Sequence, residues 1–209
     1  MKKEDIDYSV YLVTDRRNKT DEEFLNIIEE AIKGGTTIVQ LREKTASTKE
    51  FYELALKVKE ITSRYGVPLL INDRIDIALA VDSDGVHIGQ DDMPADIARE
   101  IIGDEKILGV SASTVEEAKK AEIDSADYIG SGAVLPTNTK DDADAVSFDE
   151  LKEIVDSIDI PVVAIGGITL ENAGSLKESG INGFSVVSAI MNAEYPKEAS
   201  QRLNEIYFS

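Results

Sequence analysis

The chain has no cysteine and a single histidine, His87, among 209 residues. Without cysteine there is no disulfide framework and no thiolate nucleophile, and one histidine cannot build a metal centre of several imidazoles. No serine stands in a Gly-x-Ser-x-Gly elbow with a histidine set beside it, which leaves Ser-His-Asp chemistry without support. No apolar run approaches the roughly 20 residues of a membrane span, and the opening MKKEDIDYSV lacks the apolar stretch of a secretory signal. Positive charge is scarce as well: 22 Lys and Arg face 41 Asp and Glu, for a net charge of −19. Such a field repels polyanions and acidic bilayers, so the expectation is a cytoplasmic protein that binds small molecules rather than nucleic acid or membrane. A homo-oligomer is compatible with it. The same imbalance makes any basic residues gathered on a few loops conspicuous as anion ligands, because carboxylates already supply solubility.

The hydrophobic pattern alternates between two periods. Short β-branched and aliphatic runs at residues 10–14, 37–41, 68–72, 85–88, 107–111, 128–132, 161–165 and 183–188 are each followed by a segment of helical spacing. Phe24, Ile27, Ile28, Ala31 and Ile32 share one helical face, as do Phe51, Leu54, Ala55, Val58 and Ile61, and again Phe148, Leu151, Ile154, Val155 and Ile158. Capping boxes mark helix starts at Thr20/Glu23, Ser47/Glu50, Thr114/Glu117 and Ser147/Glu150. Eight βα units in so short a chain predict a single-domain (β/α)8 TIM barrel over residues 1–209. An open doubly wound sheet would read almost the same, although its glycine fingerprint is missing after the first strand.

In such a barrel the chemistry collects on the loops after the carboxyl ends of the strands. There the sequence puts Gln40-Leu41-Arg42-Glu43-Lys44, Asn72-Asp73-Arg74, Gly89-Gln90-Asp91-Asp92, Ser111, Pro136-Thr137-Asn138-Thr139-Lys140, Gly166-Gly167 and Val187-Ser188. Glycines after strand 7 beside a small residue opening the helix after strand 8 suit a phosphate cradled on backbone amides; a plain tight turn is the competing reading. Asp73 with Asp92 (or Asp91, which local chemistry does not separate from it) could hold Mg2+, and Arg42, Lys44 and Lys140 supply the cations a diphosphate needs. The long connection over residues 134–147 reads as a lid or as a loose acidic loop. His87, inside strand 4, is at least as well explained by structure as by catalysis.

Taken together, QLREK at 40–44, NDRIDIA at 72–78, GVHIGQDDMP at 85–94, LGVSAST at 108–114, PTNTK at 136–140, AIGGI at 164–168 and VVSAI at 186–190 resemble the thiamine phosphate synthase family in content and order. That resemblance implies a Mg2+-using transferase that couples hydroxymethylpyrimidine diphosphate with thiazole phosphate and releases diphosphate. It assigns Gln40, Leu41, Arg42, Glu43, Lys44, Asn72, Ser111 and Lys140 to the pyrimidine diphosphate, with Arg42, Lys44, Ser111 and Lys140 nearest the chemistry. Thr137, Asn138, Thr139, Gly167, Val187 and Ser188 go to the thiazole phosphate, and Asp73 and Asp92 to Mg2+. Two positions depart from the pattern: Ser113 stands where many relatives carry histidine, and Ala133 where proline is usual. A thiazole tautomerase of the same superfamily would want the histidine missing at position 113 as its base, and a non-catalytic precursor-binding homologue would not need the cations and carboxylates retained here.

Overall fold

The computed structural model describes residues 3–132, 134 and 146–209. Eight parallel strands close into a barrel in chain order: β1 (Val10–Val13), β2 (Ile38–Leu41), β3 (Leu69–Asn72), β4 (Gly85–Ile88), β5 (Ile107–Ser111), β6 (Tyr128–Ser131), β7 (Val162–Ile165) and β8 (Gly183–Val186). The last strand returns to pair with the first through Tyr11 and Ser185. Around them run α1 (Asp21–Lys33), α2 (Thr48–Tyr65), α3 (Ile75–Ala80), α4 (Ala95–Ile102), α5 (Val115–Ile123), α6 (Phe148–Ser157), α7 (Ala173–Leu176), α8 (Ser188–Met191) and α9 (Pro196–Phe208), with α9 packed back onto α1. No helix among the described residues is long and apolar enough to cross a membrane.

Both faces of each strand are covered, which is why the strands read as continuous apolar runs. Outward residues such as Val10, Leu12, Val39, Leu41, Leu69 and Ile71 meet the apolar stripes of the helices, including Phe24, Ile28, Phe51, Leu54 and Val58. Each such fully buried side chain is worth about 1.5–3 kcal/mol. Phe148 departs from the expected stripe and lies exposed at the first turn of α6, leaving Leu151 and Ile154 to carry that face. Inward residues fill the barrel with a second cluster, Tyr11, Val13, Ile38, Leu70, Ile107, Tyr128 and Val163.

Three of the four capping boxes are complete, at Thr20, Ser47 and Ser147. The fourth is half a box. Thr114 caps the amide of Glu117, but the Glu117 carboxylate reaches past the cap to the Ser113 amide at 2.7 Å.

At the amino-terminal face one device recurs four times. The residue just before each even-numbered strand clamps the preceding odd-numbered strand, donating its amide to that strand's carbonyl and accepting a strand amide on its side-chain oxygen. Thr37 does this for Val10 (2.8 and 3.2 Å), Asp84 for Leu69 (2.9 and 2.8 Å), Asp127 for Leu108 (2.7 and 2.8 Å) and Asn182 for Val162 (2.7 and 2.8 Å). The clamps satisfy amides that would otherwise be stranded at the barrel floor, and they tie each βαβ unit shut. Asp127 also takes the guanidinium of the buried Arg99 at 2.6 Å, while Arg99 donates to the carbonyls of Gly103, Lys106 and Ser125.

Candidate active site

The inward positions of the strands change character along the barrel. Ile38 gives way to Gln40, Leu70 to Asn72, Gly85 to His87, and Ile107 and Gly109 to Ser111, so the carboxyl-terminal half of the interior is polar where the other half is oily. Neighbouring strands then deliver the rim residues in sequence: Arg42 and Lys44 after β2, Asp73 after β3, Asp92 after β4 and Ser111 at the end of β5. Arg42 and Asp92 thus follow the carboxyl ends of β2 and β4, at the same end of the barrel. Lys140, with Thr137, Asn138 and Thr139, lies outside the described residues, as does Ala133.

Charges of both signs, and two facing carboxylates, gather at this rim. Lys44 Nζ pairs with Asp73 Oδ2 at 2.5 Å, and Asn72 Nδ2 donates to Asp73 Oδ1 at 2.7 Å. Asp73 is held at φ 61°, a left-handed conformation that costs a non-glycine residue about 1–2 kcal/mol, fixed here by its amide donating to the His87 carbonyl at 2.8 Å. Asp92, not Asp91, turns inward: its Oδ2 accepts the Gly89 amide at 2.7 Å. Partial desolvation raises the Asp92 carboxyl above its usual range, and the facing Asp73 carboxyl adds to the rise. Among the described residues Arg42 forms no ion pair, and only its amide is engaged, with Thr14 Oγ1 at 3.1 Å.

Other predicted ligands take more particular roles. The Leu41 side chain is buried in the outer core, so only its backbone can reach the mouth. Glu43 accepts the Thr45 amide at 3.2 Å and lies 3.8 Å from Arg16, bracing the loop between Arg42 and Lys44. Gly166 and Gly167 have φ of 99° and 66°, and Asn172 ties their turn by donating to the Gly167 carbonyl at 3.0 Å. That turn adjoins Val187, the cap of α8, because β7 pairs with β8. Ser113 bonds through its amide to Glu117 and its hydroxyl faces the Gly132 carbonyl, so position 113 offers no general base.

Sequence reasoning missed Tyr11 and Tyr128 and left His87 undecided. The Tyr11 and Tyr128 hydroxyls lie 2.7 Å apart, and His87 bridges Tyr128 Oη (2.7 Å) to Ser111 Oγ (2.9 Å). Gly109 makes this possible, since a Cβ there would stand 2.1 Å from the Tyr128 ring. For His87, Gln40 and Ser111 a signal existed, a polar residue two places after an apolar or glycine one in a strand; Tyr11 and Tyr128 open or near-open their strands and carried none.

The sequence profile described as thiamine monophosphate synthase matches residues 10–190. A thiamine-phosphate synthase of Methanobrevibacter smithii is 67% identical over 198 residues, covering 95% of this chain and 94% of that protein. Another, from Clostridium tetani, is 53% identical over 207 residues and covers 99% of each. Among solved structures, the thiamine phosphate pyrophosphorylase from Pyrococcus furiosus superposes with a TM-score of 0.89 at 41% identity, over 97% of this chain and 96% of that one.

Proposed function

This chain belongs to the thiamine monophosphate synthase family, and from that premise we propose which side chains carry its reaction. The enzyme joins a hydroxymethylpyrimidine diphosphate to a thiazole phosphate. The bond from the methylene carbon to the diphosphate oxygen breaks, the thiazole nitrogen bonds to that carbon, and thiamine phosphate and inorganic diphosphate are formed.

In this reading Arg42, Lys44 and Lys140 bind the diphosphate, Arg42 as a bidentate fork and the lysines as mobile charges. Gln40, Asn72 and Ser111 hold the pyrimidine, with the Leu41 backbone and the Glu43 brace setting the loop. Thr137, Asn138, Thr139, Gly167, Val187 and Ser188 receive the thiazole phosphate. The observation that carries the reading is Arg42: at the barrel mouth of a chain with net charge −19, its guanidinium has no ion pair among the described residues, which suits it to an anion.

Asp73 and Asp92 fit Mg2+. They are two hard oxygen donors on adjacent strands whose mutual crowding already raises Asp92, and Mg2+ commonly takes one or two carboxylates together with substrate phosphates. When bound, the ion supplies charge neutralisation at the diphosphate oxygens. The protein's own share is alignment and charge stabilisation. The three cations draw the departing diphosphate away, the electron-rich aminopyrimidine stabilises the carbon left positive, and the enclosed mouth keeps water from trapping it. No protein nucleophile is required. A cytoplasmic setting belongs to the same proposal.

The test is purified protein with both substrates and Mg2+, following diphosphate release, repeated with Lys140→Ala and Asp92→Ala. Near-complete loss is expected in each; turnover retained by either variant removes that residue from the scheme.

A further inference from the structure

Five side chains from five strands form one unbroken chain of hydrogen bonds across the barrel interior. Gln40 Nε2 donates to Tyr11 Oη at 2.6 Å, and Tyr11 Oη meets Tyr128 Oη at 2.7 Å. Tyr128 Oη then meets His87 Nδ1 at 2.7 Å, and His87 Nε2 meets Ser111 Oγ at 2.9 Å. The reaction scheme uses only the two ends.

The hydrogens in this chain can be counted. Both tyrosines are buried, and burial pushes both phenols above their usual range, so each keeps its single proton. An amide nitrogen only donates, so Tyr11 accepts from Gln40 and must spend its own hydrogen on Tyr128. Tyr128 in turn spends its hydrogen on His87 Nδ1. A neutral imidazole that accepts at Nδ1 carries its proton at Nε2, and that N–H points at Ser111 Oγ. The serine oxygen is thereby an acceptor from within, and its own hydrogen is left to point out into the mouth. Directing Tyr128 toward Tyr11 instead would give Tyr11 two incoming hydrogens and no described acceptor for its own, at the cost of a buried unsatisfied hydroxyl. Rotating the Gln40 amide by half a turn would reverse every link at once.

We infer that the Gln40–Tyr11–Tyr128 chain fixes His87 as the Nε2–H tautomer, and that His87 and Tyr128 are positioning residues which hold Ser111 as a hydrogen-bond donor toward the pyrimidine. The second half of this inference rests on the assignment of Ser111 to the pyrimidine; the first half does not.

Because His87 is the only histidine, nitrogen NMR of the full-length, substrate-free protein labelled in histidine reads its tautomer without assignment ambiguity. Nε2 should be protonated and Nδ1 bare; the opposite tautomer overturns the inference. Gln40→Glu replaces the donor at the far end by an acceptor carboxylate and should turn His87 to the Nδ1–H form from three hydrogen bonds away, which a merely structural role would not do. Tyr128→Phe cuts the chain: His87 should become a mixture of tautomers, and a single unchanged tautomer overturns the inference even where Gln40→Glu does not fold. In turnover, Tyr128→Phe should lower kcat/KM by about fivefold, the worth of one neutral hydrogen bond, and should cost nothing further in a Ser111→Ala background. Full activity in Ser111→Ala would remove Ser111 from the reaction while leaving the tautomer result standing, so the two failures are told apart.

Discussion

The two ends of the barrel spend their charged side chains differently. At the amino-terminal face Asp84 and Asp127, with Thr37 and Asn182, are committed to strand amides, and Arg99 is surrounded by carbonyls and one carboxylate. At the carboxyl-terminal face Arg42 has no described ion-pair partner, Asp92 faces Asp73 to its own disadvantage, and Asp73 sits in a conformation it disfavours. The charged groups of one end are committed to backbone and to each other, while those of the other end are less fully engaged among the described residues. With the reaction assigned to the carboxyl-terminal rim as proposed above, stability and function are separated along the barrel axis, which would let the loops change chemistry without loosening the closed sheet.

The sharpest way to break this division is at Asp127. Removing it as Asp127→Ala strands the Leu108 amide and leaves the buried Arg99 without its carboxylate, a loss of about 3–5 kcal/mol. Thermal unfolding should show a fall of roughly 10 °C or more, while kcat of the folded protein stays near wild type. A large fall in kcat with unchanged melting would mean that the two faces are not independent.

The mirror experiment is Asp92→Asn, which keeps an acceptor for the Gly89 amide and removes the charge. Here diphosphate release should slow by about 100- to 1000-fold. Melting should hold or rise slightly, because the carboxyl that suffers from Asp73 is gone. A smaller effect is expected for Asn182→Ala, the clamp without a charge: about 1–3 kcal/mol for one stranded strand amide, read in the denaturant midpoint, with activity unaltered.

The barrel was legible in the sequence because its strands are apolar on both faces, and the eight runs needed no knowledge of which way a side chain points. Their ends were read one or two residues long at β1, β2, β3, β6, β7 and β8. At Thr14 this is because a hydrogen bond to the Gln40 carbonyl continues past the regular strand. That same two-sided burial concealed the interior chain. In a strand with no solvent face, Tyr11 and Leu12 look alike, and only closure of the barrel decides which is inside. The pair Asp91-Asp92 was ambiguous for a related reason: the Gly89 turn that selects Asp92 is a matter of backbone direction, not composition. Clusters of charge at the rim were easier, since Arg42 and Lys44 contrast with an acidic chain. The floor clamps went unread because a lone Asp or Asn before a strand looks like an ordinary turn residue.

Ser147 gives the comparison its finest test, since it opens α6 on the carboxyl-terminal side yet behaves like a residue of the floor. Its hydroxyl accepts the Glu150 amide at 3.2 Å, and the Glu150 carboxylate returns to the Ser147 amide at 2.7 Å. Ser147→Ala should cost about 1 kcal/mol, the usual worth of such a cap, and lower melting by about 2–4 °C without changing kcat. If it does, what separates stabilising from functional side chains is commitment to backbone groups rather than the end of the barrel on which they lie. A fall in kcat with no loss of stability would instead tie the start of α6 to the catalytic mouth, and the axial division would have to be redrawn to include it.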